Sequence, residues 1–304
     1  MLLFAASLTT SVIPTSVRQA GSHDIDTSCK DNERLAAIST QFDANCTWTC
    51  LRSGAEPYCL SMSFAHRPVV AEQLSGAEFE GACKAAVRRI GKDRWELADT
   101  VVATAGLFYG DWLPTLADVV GTSGRVFGFE PSLIAKQARA TAAANGLDSV
   151  VVIRHACLSS RAHTASVCVR DWEGKLLGGL QGLVQDKSQL GSEESQSRYE
   201  WARHPCGQVE VSSCVALDDE LPWRTRRVGL IHLDTEGHEI EGLRGAKKLL
   251  RRWRPVVALE PGNGTNKCER EILSQLNYSR VPRHVLGKCK QLRFFQPDGG
   301  VVLR

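Results

Sequence analysis

No run of about 18 uninterrupted apolar residues occurs in this 304-residue chain, so the sequence offers no standard transmembrane helix. Its 26 glycines and 11 prolines follow no short period, which excludes a collagen-like or low-complexity chain. No internal repeat at roughly 20–50 residue spacing is visible, which argues against a solenoid. A dominant charge is missing too. There are 37 basic and 34 acidic residues, for a formal net charge of +3. Beyond the clusters 224–227 and 247–254 there is no long basic stripe. That balance does not point to nucleic acid or a membrane surface as partner. What remains is ordinary: 43% hydrophobic and 23% charged residues describe a globular chain, not a wholly disordered one. The length allows one large domain or two small ones.

Cysteine is what the chain has in excess, with eleven residues. The number is odd and the residues are scattered, whereas a disulfide framework usually belongs to a short secreted chain. The expectation is therefore reduced, buried thiols in an intracellular enzyme. For Cys29, Cys46, Cys50 and Cys59, free thiols, disulfides and a metal site stay open, although their spacing is not the paired C-x-x-C of zinc ribbons. Met1–Pro14 is apolar but lacks a positively charged start, so residues 1–16 read as a weak targeting segment. The expected location is cytoplasmic, with secretory or organelle targeting as the alternative. Asn-X-Ser/Thr matches at Asn45, Asn263 and Asn277 arise by chance often enough to add little.

Residues 1–70 read as an irregular cysteine-containing extension, and 71–304 as the catalytic domain, with a polar insertion at about 172–205. Phe79, Cys83, Ala86, Val87 and Ile90 recur at helical spacing, and Gly91 is read as the stop. Thr100–Ala105, Arg125–Phe129, Val150–His155, Val228–Asp234 and Pro255–Glu260 read as strands. Asp111–Val120, Ser132–Asn145 and Glu239–Trp253 read as the helices between them. Strands alternating with helices give an α/β fold, with a mostly parallel sheet and helices on both faces. Asp298-Gly299 between apolar runs predicts a C-terminal antiparallel hairpin.

Ligands in such sheets sit at the carboxyl ends of the strands. Gly106 and Gly110 after the first strand let a backbone approach a nucleoside cofactor, with Asp111 beside them. Their G-x-x-x-G spacing is neither the dinucleotide fingerprint nor a phosphate-binding loop. Glu130 at the tip of the second strand is placed to accept from ribose hydroxyls. The missing pyrophosphate turn favours S-adenosylmethionine over a nicotinamide cofactor. The densest stretch is IHLDTEGHE, 231–239, with Asp234, Glu236 and His238 at one strand-to-helix turn. Carboxylates there either cap the next helix or work on a ligand. His238 suits a general base if it titrates near neutrality. A metal held by His232, Asp234 and His238 is disfavoured because His232 lies inside the strand, so no metal site is expected.

The stretch from Val228 to Glu260, containing HLDTEGHEIEGLRGAKKLLRRWRPVVALE, resembles the signature of FkbM-type methyltransferases. VVATAGLFYGDWLPTLA, GRVFGFEPS, IRHACLSS and SSCVALDDEL precede it in the family's order. The resemblance covers roughly 95–262. It implies a Rossmann-like class I methyltransferase fold, with S-adenosylmethionine as cofactor and usually oxygen as acceptor. Gly106, Gly110 and Asp111 would form the cofactor turn. Glu130 would bind the ribose, with Pro131 beside the adenosine. His155, Ala156 and Cys157 would edge the adenine pocket. Asp234 and Glu236 would line the place where methyl meets acceptor. The family often has an acidic or polar residue two places before the first glycine; here Thr104 stands there, with a hydroxyl and no charge.

The expected activity is methylation of a hydroxyl on a small molecule or carbohydrate, with Asp234, Glu236 or His238 removing or orienting the acceptor proton. The alternatives are an inactive binding module on the same fold and a nicotinamide-dependent oxidoreductase. No nucleic-acid partner and no membrane span are expected. Oligomeric state and acceptor are not written in the sequence.

Overall fold

A computed structural model describes residues 25–26, 29, 32–51, 56–60, 80–171, 183–184, 206–222, 224 and 226–299. The targeting segment, most of the 172–205 insertion and the second arm of the 298–299 hairpin lie outside the described residues. No described helix is long and apolar enough to cross a membrane.

The N-terminal region is more regular than its sequence suggests. Strands β1 (Ile25–Asp26), β2 (Thr47–Leu51) and β3 (Glu56–Leu60) form an antiparallel sheet, and helix α1 (Asn32–Gln41) joins the first two. The strands are too short to show a clear two-residue period. Disulfides Cys29–Cys50 and Cys46–Cys59 close this small unit. A unit this size buries too little apolar surface to hold by itself. It packs on a later helix through Leu35, Ile38, Cys50 and Cys59.

The main body begins with α2 (Glu80–Asp93), followed by β4 (Val101–Ala105), α3 (Leu113–Val120), β5 (Arg125–Phe129), α4 (Ala135–Ala144) and β6 (Val151–Arg154). A second sheet follows, from β7 (Cys157–Leu158), β8 (His163–Asp171), β9 (Leu183–Val184) and β10 (Cys206–Val215), in the order β7-β10-β8-β9. The chain then returns through α5 (Leu217–Glu220), β11 (Val228–Leu233), α6 (Glu239–Arg244), α7 (Lys247–Trp253), β12 (Val256–Leu259), α8 (Asn263–Cys268), β13 (Tyr278–Arg280), α9 (Arg283–Leu286) and β14 (Arg293–Pro297).

The central sheet runs β13-β14-β12-β11-β4-β5-β6, and β14 alone runs opposite to the other six strands. The β13–β14 pair is therefore the antiparallel C-terminal element. Alternation along the strands feeds two cores. Val102 faces α2 and α3 with Val87, Leu113 and Leu116, whereas Val101, Ala103 and Ala105 face α6 and α7 with Leu243 and Leu250. Helix α4 is covered on both sides: Ala138 and Ala142 meet the sheet, and Ala140 and Ala144 meet the N-terminal unit.

Two expected helix boundaries change for steric reasons. Gly91 does not end its helix, which runs on to Asp93. A β-carbon there would sit 3.1 Å from Leu97, so this glycine serves packing. The helix expected over Glu239–Trp253 is broken into two, α6 and α7. At the break, a β-carbon on Gly245 would lie 2.1 Å from the Ser159 carbonyl oxygen.

The expectation of reduced thiols is overturned. Besides the two N-terminal bridges, disulfides join Cys83–Cys289, Cys157–Cys214 and Cys168–Cys206, leaving Cys268 free and buried. Scatter along the chain concealed the pairs, because Cys83 and Cys289 are 206 positions apart. That bridge pins α2 to the loop before β14. The loop entropy it removes from the unfolded chain predicts that C83S/C289S lowers the Tm by roughly 5–10 °C in thermal unfolding followed by circular dichroism.

Candidate active site

Four parallel strands end at one edge, and each delivers a functional segment there. β4 leads into Gly106, β5 into Glu130, β11 into Asp234 and β12 into Glu260. β4 is flanked by β11 and β5, so the strand order reverses beside it, where such sheets bind ligands. The backbone ties the ends together. Gly106 N–H donates to Phe129 O at 3.1 Å, Asp234 N–H to Ala105 O at 3.1 Å, and Glu260 N–H to Leu233 O at 3.2 Å.

Gly106 has φ of 75°, and a β-carbon on it would lie 1.6 Å from Asp234 O. Only glycine fits both conditions. Phe108 and Glu236 also adopt left-handed backbone, at φ 50° and 52°, without being glycine. Such geometry clusters where a site has to be shaped, and these two residues sit in the two strand-to-helix turns of this edge.

Glu130 is buried and accepts three bonds from the protein: Phe108 N–H at 2.9 Å, Ser132 N–H at 3.0 Å and Ser132 Oγ–H at 2.7 Å. Burial raises its pKa, against the lowering effect of those donors. A carboxylate has about four acceptor positions, so one stays open here. The sequence suggested both ribose hydroxyls for Glu130; the structure leaves room for one unless Ser132 yields. Pro131 O lies 3.0 Å from the Nε2 of exposed His155. Ala156 and Cys157 beyond it are buried, and Cys157 is held in its disulfide with Cys214 rather than as a thiol.

Below the glycine turn lies a polar cluster that sequence reasoning missed in part. Asp111 pairs with Lys84 of α2 at 2.5 Å, both nearly buried. Lys84 Nζ also lies 5.4 Å from the Trp112 ring centroid. The only hint of Lys84 was a lysine beside Cys83 on an otherwise apolar helical face. Thr104 does not stand free for a cofactor: its Oγ1 lies 2.9 Å from Nδ1 of His232 on the neighbouring strand. The His232 ring packs on Trp112, 4.6 Å between centroids. Burial, opposed by Asp111, holds His232 down to about 4, so it is neutral at pH 7. Its Nε2 is buried without a hydrogen-bond partner among the described residues.

Carboxylates crowd the β11 turn. Oxygens of Asp234, Glu236 and Glu260 lie within 4.8 Å of one another. Burial raises Asp234 well above the usual range, and Glu260 and Glu239 add to it. The Asp234 and Glu260 side chains hydrogen-bond each other, which requires a proton on one of them. Burial, with Asp234 and Glu239, pushes Glu236 up to about 8, and its Oε2 is buried without a partner among the described residues. Glu239, absent from the expected site, shapes the turn instead. Its Oε1 accepts from Thr235 N–H, Thr235 Oγ1–H and Gly237 N–H, each at 3.1 Å. Glu260 was legible as a strand end but was not expected in the site. The triad offers oxygen ligands of the kind hard divalent cations take. His238 begins α6, and burial holds it down to about 4, so it is a neutral imidazole at pH 7.

This sheet order, with one reversed strand near its edge and acidic turns at the switch point, defines a class I methyltransferase fold. The family model of the methyltransferase FkbM domain matches residues 101–279, more than half of the chain, and the chain belongs to that family. Among solved structures, it is similar to a methyltransferase FkbM from Methylobacillus flagellatus KT, at 13% identity and TM-score 0.41. The match covers 65% of this chain and 44% of that one, so this chain spans less than half of that protein's length. An S-adenosylmethionine-dependent O-methyltransferase from Thermotoga maritima matches at 14% identity and TM-score 0.38, over 73% of this chain and 65% of that one. An O-methyltransferase from Bacillus cereus in complex with S-adenosylhomocysteine matches at 13% identity and TM-score 0.38, over 87% and 90%. No curated protein matches the chain.

The carboxylate cluster has a signature in stability. Glu236 titrates at about 8 in the fold against 4.5 in the ordinary range. A raised pKa means that the native state holds the extra proton, so its stabilising effect is intact below about 4.5 and is lost as pH rises through about 8. Glu236→Gln cannot ionise and removes that loss. Its Tm is expected to exceed wild type by roughly 3–6 °C near pH 9 and to match it near pH 5, in calorimetry of the apo protein.

Proposed function

We propose that this chain is an S-adenosylmethionine-dependent methyltransferase that modifies a hydroxyl oxygen on a small molecule or carbohydrate. The observation that carries the reading is the partly buried carboxylate cluster of Asp234, Glu236 and Glu260 at the switch point of an FkbM domain. The residues fit the cofactor in two ways. Glu130 keeps one acceptor position open, whereas the space a β-carbon would take at Gly106 and Gly110 is filled by Asp234 O and by Leu113 and Ala138, so these glycines shape the turn. The buried Oε2 of Glu236, without a partner among the described residues, is an electrostatic demand that a cation satisfies.

When bound, S-adenosylmethionine supplies an activated methyl group on a sulfonium cation. Glu130 accepts a ribose hydroxyl through its remaining lone pair, and Phe108 N–H and Ser132 hold its carboxylate in place. Pro131, His155, Ala156 and Cys157 edge the adenine. Asp111, fixed by Lys84, supports the glycine turn from below. Thr104 acts through His232 rather than by direct contact. Asp234 orients the acceptor hydroxyl. Glu236, protonated at pH 7 before the cofactor binds, takes that hydroxyl's proton once the positive charge of the bound cofactor has favoured its ionised form. His238, held down to about 4 rather than near neutrality, is too weak a base for that step and stays neutral beside it.

Titration calorimetry with S-adenosylmethionine, S-adenosylhomocysteine and NAD tests the reading. The first two are expected to bind saturably and NAD not at all. Glu130→Gln is expected to weaken both by roughly 10–100-fold, a loss of a charge-assisted hydrogen bond. Asp234→Asn should lower kcat far more than cofactor affinity, read on a panel of hydroxylated acceptors. Full activity and affinity in both variants would overturn the assignment.

A further inference from the structure

Ten of the eleven cysteines are paired, in bridges that span the N-terminal unit, the second sheet and the main body. A protein held in this way belongs where thiols are oxidised, not in a reducing cytosol. The same compartment attaches glycans to Asn-X-Ser/Thr, so the three matches in the sequence acquire weight from an observation independent of them.

The fold separates these matches. Asn45 is exposed in the loop between α1 and β2, next to the bridged Cys46. Its carbonyl accepts from Gln137 Nε2 at 3.1 Å, which fixes the loop while leaving the residue at the surface. Asn277 is exposed at φ 55° in the turn before β13. Its carbonyl accepts from Arg254 Nη2 at 3.0 Å and Asp298 N–H at 2.8 Å, so the turn is braced through its backbone. Ser279, the third residue of that match, is exposed. The match at Asn263 differs. Its Thr265 is fully buried and donates to Glu260 O, and Gly264 packs against Glu239. That segment belongs to the wall of the carboxylate cluster.

We infer that this chain resides in an oxidising, glycan-modifying compartment in place of the cytoplasm its composition suggested, and that Asn45 and Asn277 are N-glycosylation sites while Asn263 is not. In the modification, the Asn side-chain nitrogen forms a bond to the anomeric carbon of a lipid-diphosphate-linked oligosaccharide. The bond from that carbon to the diphosphate oxygen breaks, the lipid diphosphate leaves with the electron pair, and the amide proton passes to base. The inference stands apart from the methyl-transfer reading.

The test expresses the full chain in a eukaryotic cell line. Denatured, unreduced protein is labelled with a maleimide-polymer to count thiols, and separate samples are treated with peptide N-glycosidase. The expected result is one labelled thiol, Cys268, and two glycans by mobility. Ser279→Ala removes one and Thr47→Val the other, without changing either asparagine, and the double variant is unshifted with the thiol count still one. Eleven labelled thiols would overturn the compartment. An oxidised chain without a glycosidase shift would overturn the sites. A shift that survives in the double variant would transfer the modification to Asn263 and overturn its exclusion.

Discussion

The carboxyl edge of the sheet depends on the contact between Gly106 and the carbonyl of Asp234. No β-carbon fits between them, and the turn needs a left-handed residue at the same place. This contact closes the ends of β4 and β11 onto each other, with Asp234 N–H bonded to Ala105 O. The register that follows sets His232 opposite Thr104, where the two side chains meet. It also brings Asp234 alongside Glu260 from the next strand. One missing side chain therefore fixes both the Thr104–His232 contact and the acidic turn beside it.

The wall is electrostatically incomplete. Lys84, the cation described beneath the turn, is paired with Asp111. Glu239 is satisfied by the hydroxyl and backbone N–H groups of its own turn. Asp234 and Glu236 stand beside Glu260, and burial and the neighbouring carboxylates suppress the ionisation of both. Such an arrangement destabilises the fold wherever the groups ionise without a partner. It is retained where charge is needed, which is how strained or frustrated groups come to mark functional sites. A cationic ligand relieves the repulsion and converts the cost into affinity.

Much of this was legible in the sequence. Periodicity gave the alternation of strands and helices because β-branched runs and amphipathic faces report burial directly. Gly106, Glu130 and Asp234 were legible because strand ends are where an α/β sheet exposes polar groups. Three things were not. Lys84 lies on a helix far from the strand ends in sequence, so its pairing with Asp111 is purely tertiary. The division of α6 from α7 depends on the Ser159 carbonyl, which approaches Gly245 from a distant loop. The disulfides join cysteines up to 206 positions apart, and spacing carries no information at that distance.

If the cofactor binds at this edge, protons on Asp234 and Glu236 give way to its positive charge. Calorimetric titration at pH 7 in two buffers of different ionisation enthalpy measures this directly. S-adenosylmethionine binding is expected to release protons, binding of S-adenosylhomocysteine with its uncharged sulfur is not, and Glu236→Gln is expected to diminish the release. Proton-neutral binding of S-adenosylmethionine, or equal release with both ligands, would contradict it.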